Sequence, residues 1–138
     1  MNNLTSTPSL LLIDDDQMSL FIAKTTIKKS GLKAHFFEAC NGQEALAFLE
    51  MHYQKGNVID HIFLDLNMPI MNGFEFLKQI SVHPFPRLRE IPIYILTSSI
   101  NKADVIEANK SKISGYIEKP LTFDHIQLLF RKEQLPKC

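Results

Sequence analysis

Four clusters of side chains able to do chemistry stand in this sequence, each directly behind a short apolar run. Asp14, Asp15 and Asp16 follow "SLLLI", and Asp65 follows "HIFL". Thr97, Ser98 and Ser99 follow "IPIYIL", and Lys119 and Pro120 follow "GYIE". Carboxylates gathered at one place repel: two of them about 4 Å apart at an effective dielectric near 20 oppose each other by roughly 4 kcal/mol. A divalent cation removes that penalty, and carboxylates joined by a carbonyl and waters make the octahedral oxygen set that suits Mg²⁺. With a hydroxyl and an ammonium opposite the cation, the set is suited to hold a phosphoryl group. Asp65 is then the nucleophile and forms an acyl phosphate. Mg²⁺ and Lys119 neutralise the transferring oxygens, and Thr97 hydrogen-bonds one of them afterwards. Pro69 and Gly73 turn the chain away, leaving Asp65 open to a large donor.

These residues meet only if the elements behind them line up. The runs at 9–13, 61–64, 91–96 and 115–118, with a weaker alternating one at 33–39, read as strands, and unbroken apolarity implies burial on both faces. Pro92 fits the first residues of a strand, where its missing N–H is tolerated. Helical spacing of apolar residues marks 17–29, 42–52, 73–81, 102–112 and 123–133, with Thr122 as N-cap of the last. The segment 82–90, "VHPFPRLRE", reads as a loop. Strand and helix thus alternate about five times, which predicts an α/β domain: a doubly wound, five-stranded parallel sheet with right-handed crossovers. Ligands bind such sheets at the carboxyl ends of the strands, where all four clusters fall.

Bulk properties narrow the function. The 138 residues suit one domain with one core. Hydrophobic residues at 45% and charged ones at 22% belong to a globular chain. Fifteen basic and fifteen acidic residues cancel, which argues against electrostatic binding to nucleic acid or to a membrane surface. Cys40 and Cys138 form no C-x-x-C pair, the apolar runs are too short to cross a bilayer, and "MNNLTSTPS" lacks the pattern of a signal peptide. A reducing, cytoplasmic setting is expected. The five histidines lack metal-ligand spacing and read as surface residues.

The motifs "LLLIDDDQ", "IFLDLNMPIMNGFEFL", "IPIYILTSS" and "GYIEKPLT", in this order over residues 9–133, resemble the receiver domain of two-component response regulators, similar to the single-domain chemotaxis type. The resemblance implies a bacterial (βα)5 flavodoxin-like fold with strand order 2-1-3-4-5, flanked by tails at 1–8 and 134–138. It implies that Asp65 is the phosphoacceptor and that Asp15 binds Mg²⁺ directly, with Asp14 acting largely through water. Asn67 offers its backbone carbonyl to the metal and turns its side chain to the attacking water. Thr97 resembles the switch hydroxyl, Lys119 the family's lysine, and Tyr116 the aromatic that turns inward when Thr97 moves. The Lys119–Pro120 bond is implied to be cis, and Ser99 sits where the family tunes self-dephosphorylation. The donor is a phosphohistidine on a sensor histidine kinase or histidine phosphotransfer protein. Output runs through a partner protein, the chain being a monomer or a phosphorylation-dependent dimer, and a signalling switch rather than an enzyme. Two departures stand out: Ser98 where many receivers have Ala or Gly, and Lys112-Ile113 where many have Gly-Ala.

Plainer readings compete at each position. Asp14 to Asp16 can serve as a solvated helix cap, Thr97 as an ordinary strand-end hydroxyl, Tyr116 as packing, and Lys119 as a solvent-facing cation. Two other classes also fit a carboxylate at a strand tip: an aspartyl phosphohydrolase and a phosphate-independent adaptor of the same shape. The first wants Asp-x-Asp, where this chain has Asp65-Leu66-Asn67. The second usually lacks one of the acids, the hydroxyl or the lysine. A cofactor binder on the same fold wants a phosphate-binding loop after the first strand, and none follows. The first helix carries Met18, Leu20, Phe21, Ile22 and Ala23, too wide an apolar arc for one buried stripe. Leu20 or Phe21 is therefore expected either to help dock the donor kinase or to pack within the fold.

Overall fold

The computed structural model describes residues 7–98 and 101–130. Five strands, β1 (Ser9–Ile13), β2 (His35–Ala39), β3 (His61–Leu64), β4 (Ile93–Thr97) and β5 (Gly115–Glu118), form one parallel sheet in the order β2-β1-β3-β4-β5. The helices among the described residues are α1 (Gln17–Lys29), α2 (Gly42–Gln54), α3 (Gly73–Ser81), α4 (Pro86–Arg89), α5 (Lys102–Ala108) and α6 (Phe123–Phe130). The doubly wound order expected from the sequence is the order found.

Alternation within the strands explains the unbroken apolar runs. Leu11, Ile13, Ile62, Leu64, Ile93 and Ile95 point to one face, against α2 and α3. Leu10, Leu12, Phe63, Tyr94 and Leu96 point to the other, where Leu20, Ala23 and Ile27 of α1 and Ile126 and Phe130 of α6 cover them. Both faces are dry, so neither set is polar. Each fully buried Leu, Ile or Phe contributes roughly 1.5–3 kcal/mol. β2 is an edge strand with its Glu38 and His35 exposed, which accounts for its weaker pattern.

Several expectations need correction. β4 begins at Ile93, not 91: Pro92 stays outside the strand and offers only its carbonyl, which accepts from the Ile62 N–H. The expected loop at 82–90 contains α4, whose first helical position is Pro86, pre-set by its fixed φ. α5 stops at Ala108 rather than 112, where Lys110 and Ser111 donate back to Glu107 and Ala108 in tight turns. Lys112 follows this turn without a left-handed backbone, since among described non-glycine residues only Ile70 has positive φ. Thr122 caps α6 as expected, its hydroxyl accepting from His125 N–H at 3.3 Å while His125 Nδ1 accepts from Thr122 N–H at 3.0 Å. The end of α6 expected at 133, the tail at 134–138 and most of that at 1–8 lie outside the described residues.

Two histidines expected at the surface are buried. His61 packs edge-on against Phe130, with ring centroids 4.9 Å apart. His83 bridges α2 and the segment before α4: its Nε2 lies 2.7 Å from Glu50, and its Nδ1 accepts from Phe85 N–H. Of the two candidates for docking a partner, Leu20 takes the packing role instead and is buried in the second core. Phe21, Met18 and Ile22 are the exposed apolar residues of α1.

Candidate functional site

The sheet register brings the chemical residues to one rim. Three of them stand one residue beyond a strand, and each backbone N–H adds one rung to the ladder. Asp14 donates to Ala39, Asp65 to Ile13 and Lys119 to Thr97, at 2.9–3.0 Å. Their side chains therefore leave the sheet at one level, from β1, β3 and β5. Thr97, the last residue of β4, is fully buried and hydrogen-bonds Asp65. The expected site residues Asp14, Asp15, Asp65, Thr97 and Lys119 are thus brought together from four strands.

Within the rim, one oxygen each of Asp14, Asp15 and Asp65 lies within 4.8 Å of the others. Three acids so close, two of them buried, offer an all-oxygen donor set of the kind that suits a hard divalent cation. Lys119 supplies one positive charge: its Nζ donates to Asp14 Oδ2 at 2.7 Å and stands 3.8 Å from Asp65 Oδ2. Asp65 Oδ1 accepts from the Leu66 N–H at 2.9 Å. Burial pushes the Asp65 carboxyl above the ordinary carboxylate range; Lys119 opposes the shift, Asp14 adds to it, and the bonds from Thr97 and Leu66 oppose it.

The loop after Asp65 is fixed at both ends. Gly73 donates to Leu66 and Gly42 to Met71, which ties the loop to α2. A Cβ at Gly73 would lie 2.6 Å from the Asp65 carbonyl and 2.8 Å from Leu66 Cα, so only glycine lets α3 start here. Asn72 and Glu75 then close a reciprocal capping box. Between these anchors Ile70 sits at φ 67 with three-quarters of its surface exposed, a strained conformation for a β-branched residue. Asn67 is exposed on the same loop, two residues past Asp65.

Tyr116 is half-buried on β5 against the first core, and burial, then Asp104 and Asp65, raise its phenol pKa. The Lys119–Pro120 bond is cis, as expected. Ser99 lies outside the described residues, and Ser98 is exposed. Sequence reading missed Ser19. Its hydroxyl donates to Asp16 Oδ2 at 3.1 Å and accepts from Lys119 Nζ at 3.2 Å. The signal available was its place three residues after the Asp16 cap, on the turn of α1 that faces the acids.

A doubly wound sheet with acids at two strand tips, a buried hydroxyl at a third and a lysine followed by a cis proline at a fourth defines a known class of α/β protein. The chain belongs to the response regulator receiver domain family, whose model matches residues 10–131. It is 36% identical over 113 residues to the chemotaxis protein CheY1 of Helicobacter pylori, covering 82% of this chain and 86% of that one. It spans only 13% of the length of another curated relative, a probable histidine kinase of Oryza sativa, to which it is 30% identical over 136 residues. Among solved structures it is similar to a two-component response regulator from Cytophaga hutchinsonii, with TM-score 0.83, 30% identity and coverage of 92% and 96% of the two chains. It is also similar to the Mn²⁺-bound form of the response regulator Rcp1, with TM-score 0.76, 28% identity and coverage of 94% and 99%.

Proposed function

We propose that this chain is a phosphorylation-dependent switch whose receiver domain, residues 9–133, takes a phosphoryl group onto Asp65 from a phosphohistidine. An Asp65 carboxylate oxygen forms the new bond to phosphorus as the P–N bond of the donor breaks, and the electron pair returns to the imidazole, which takes up a proton. The observation that carries the reading is the placement of Asp65, within 4.8 Å of two further acids and 3.8 Å from the ammonium of Lys119. Burial makes this carboxylate more basic and hence more nucleophilic, and Lys119 keeps compensating charge beside it.

Asp14, Asp15, Asp65 and the backbone carbonyl of Asn67 are the groups that would hold Mg²⁺, and the Mn²⁺-bound relative supports a divalent ion. When bound, that ion supplies charge neutralisation for the phosphoryl oxygens. Thr97, already bonded to Asp65, is positioned to follow a phosphoryl oxygen, and the space it leaves is what Tyr116 would take up. New contacts at Thr97 and Lys119 would thus shift a population of conformers. Asn67 and Ser99 tune hydrolysis of the acyl phosphate. The donor is a sensor histidine kinase or a histidine phosphotransfer protein in a bacterial cytoplasm, and output passes through a partner protein.

Incubation with acetyl phosphate and Mg²⁺, followed by intact-mass measurement, tests the reading. Wild type gains one phosphoryl group, and Asp65→Asn gains none. A wild-type chain that gains no mass, or a variant that gains as much, refutes it.

A further inference from the structure

We propose that Ser19 is a positioning residue that holds the Lys119 ammonium in place for transfer to Asp65; this rests on the function proposed above. The geometry is a closed ring of hydrogen bonds. Lys119 Nζ donates to Asp14 Oδ2 at 2.7 Å and to Ser19 Oγ at 3.2 Å. Ser19 Oγ donates in turn to Asp16 Oδ2 at 3.1 Å, and the Asp16 N–H closes the ring on Asp14 Oδ1 at 2.9 Å. Asp16 is itself fixed, because its Oδ1 caps α1 through the Met18 N–H at 3.0 Å.

An ammonium has three N–H donors. Two are committed to Asp14 and Ser19, which leaves one beside Asp65, 3.8 Å from its Oδ2. That distance is too long for a hydrogen bond to the bare carboxylate. A phosphoryl oxygen, standing beyond the carboxylate oxygen, comes within reach without further movement of the lysine. Asp14 alone leaves the ammonium free to rotate about one contact, whereas the second acceptor fixes it. Settling the lysine's rotamers before the phosphoryl group arrives removes the entropic cost of ordering it from the transfer step. The hydrogen bonds of Ser19 run to Asp16 and Lys119 and not to Asp65, so its effect on transfer is carried by the lysine it holds.

The test compares three variants with acetyl phosphate as donor, the P–O bond to acetate breaking as the bond to Asp65 forms. Ser19→Thr keeps the hydroxyl, Ser19→Val keeps the threonine shape without it, and Ser19→Ala removes both. At saturating Mg²⁺, Ala and Val are expected to slow phosphorylation between about twofold and tenfold, the range a single hydrogen bond provides. Thr should stay close to wild type. The Mg²⁺ concentration giving half of the thermal upshift should be the same in all four proteins, because the hydroxyl bonds directly only to Asp16 and Lys119, neither of them a metal ligand. Equal rates for the Thr and Val variants would overturn the role of Ser19 even where the Ala variant folds poorly. A parallel loss of Mg²⁺ affinity would also overturn it, by assigning Ser19 to the acids instead of the lysine. If wild type itself gains no phosphoryl group, the proposed function falls and Ser19 falls with it.

Discussion

Replacing Asp65 by Asn should make the metal-free protein more stable, although it removes the residue on which the proposed chemistry depends. Taken at 4.8 Å and an effective dielectric near 20, each neighbouring acid opposes the Asp65 charge by about 3.5 kcal/mol. Lys119 at 3.8 Å returns about 4.4 kcal/mol on the same scale. Asp15 is exposed, so solvent screens its share to about 1 kcal/mol or less. Repulsion and attraction then nearly cancel, and burial of the charge decides the sign, in keeping with its place as the first cause of the raised pKa. Asn fills the same volume and still accepts from Leu66, so a gain of about 1–2 kcal/mol is expected, or roughly 3–8 °C in Tm.

The assay is thermal unfolding of both proteins in EDTA and in Mg²⁺, across pH. The folded pKa of Asp65 lies above its unfolded value of 3.8. The stability this group contributes is therefore fully present below 3.8 and lost as pH rises through the folded pKa. The advantage of Asp65→Asn should accordingly be absent in acid and open as pH rises through that folded value. Mg²⁺ should then reverse the order, since a ligand at a hundred times its Kd adds about 2.7 kcal/mol to the protein that binds it. An Asp65→Asn protein less stable than wild type in EDTA at neutral pH refutes the reasoning, as does an equal Mg²⁺ response in both.

Gly73→Ala should cost about 1–3 kcal/mol by overpacking against the Asp65 carbonyl and should slow phosphorylation, checked by unfolding and by intact mass. Ile70→Asn should raise stability by about 1 kcal/mol, because asparagine tolerates positive φ and the isoleucine side chain is mostly exposed; chemical denaturation measures this. Phe21→Ala should slow transfer from a kinase severalfold while leaving Tm and acetyl phosphate kinetics unchanged. Leu20→Ala should instead cost about 2–5 kcal/mol, since Leu20 lies in the core.

Much of the fold was legible because its information is local. Apolar runs four to six residues long, each ending in an acid, a hydroxyl or a lysine, show both where a strand lies and what stands at its tip. Parallel alternation with helices then forces all those tips to one side of the sheet, so Asp14, Asp15, Asp65, Thr97 and Lys119 could be assembled without coordinates. β2 was harder to see, because an edge strand is wetted and loses its apolar signature. α4 was missed because a single turn carries no periodicity, and His61 and His83 because nothing in a histidine's neighbours along the chain says whether a ring packs against Phe130 or a carboxylate reaches it from α2.

The division is sharpest at the site. Residue type and order along the chain determined which groups reach the rim. They did not determine which acceptors each group takes there, because hydrogen bonds are chosen by distance among residues far apart in sequence. Lys119 bonds to Asp14 and Ser19 and stops short of Asp65, and Leu20 turns into the core while Phe21 next to it faces solvent. Those choices follow from the pitch of α1 against the sheet and the register of β1 with β3, so only the folded arrangement could make them.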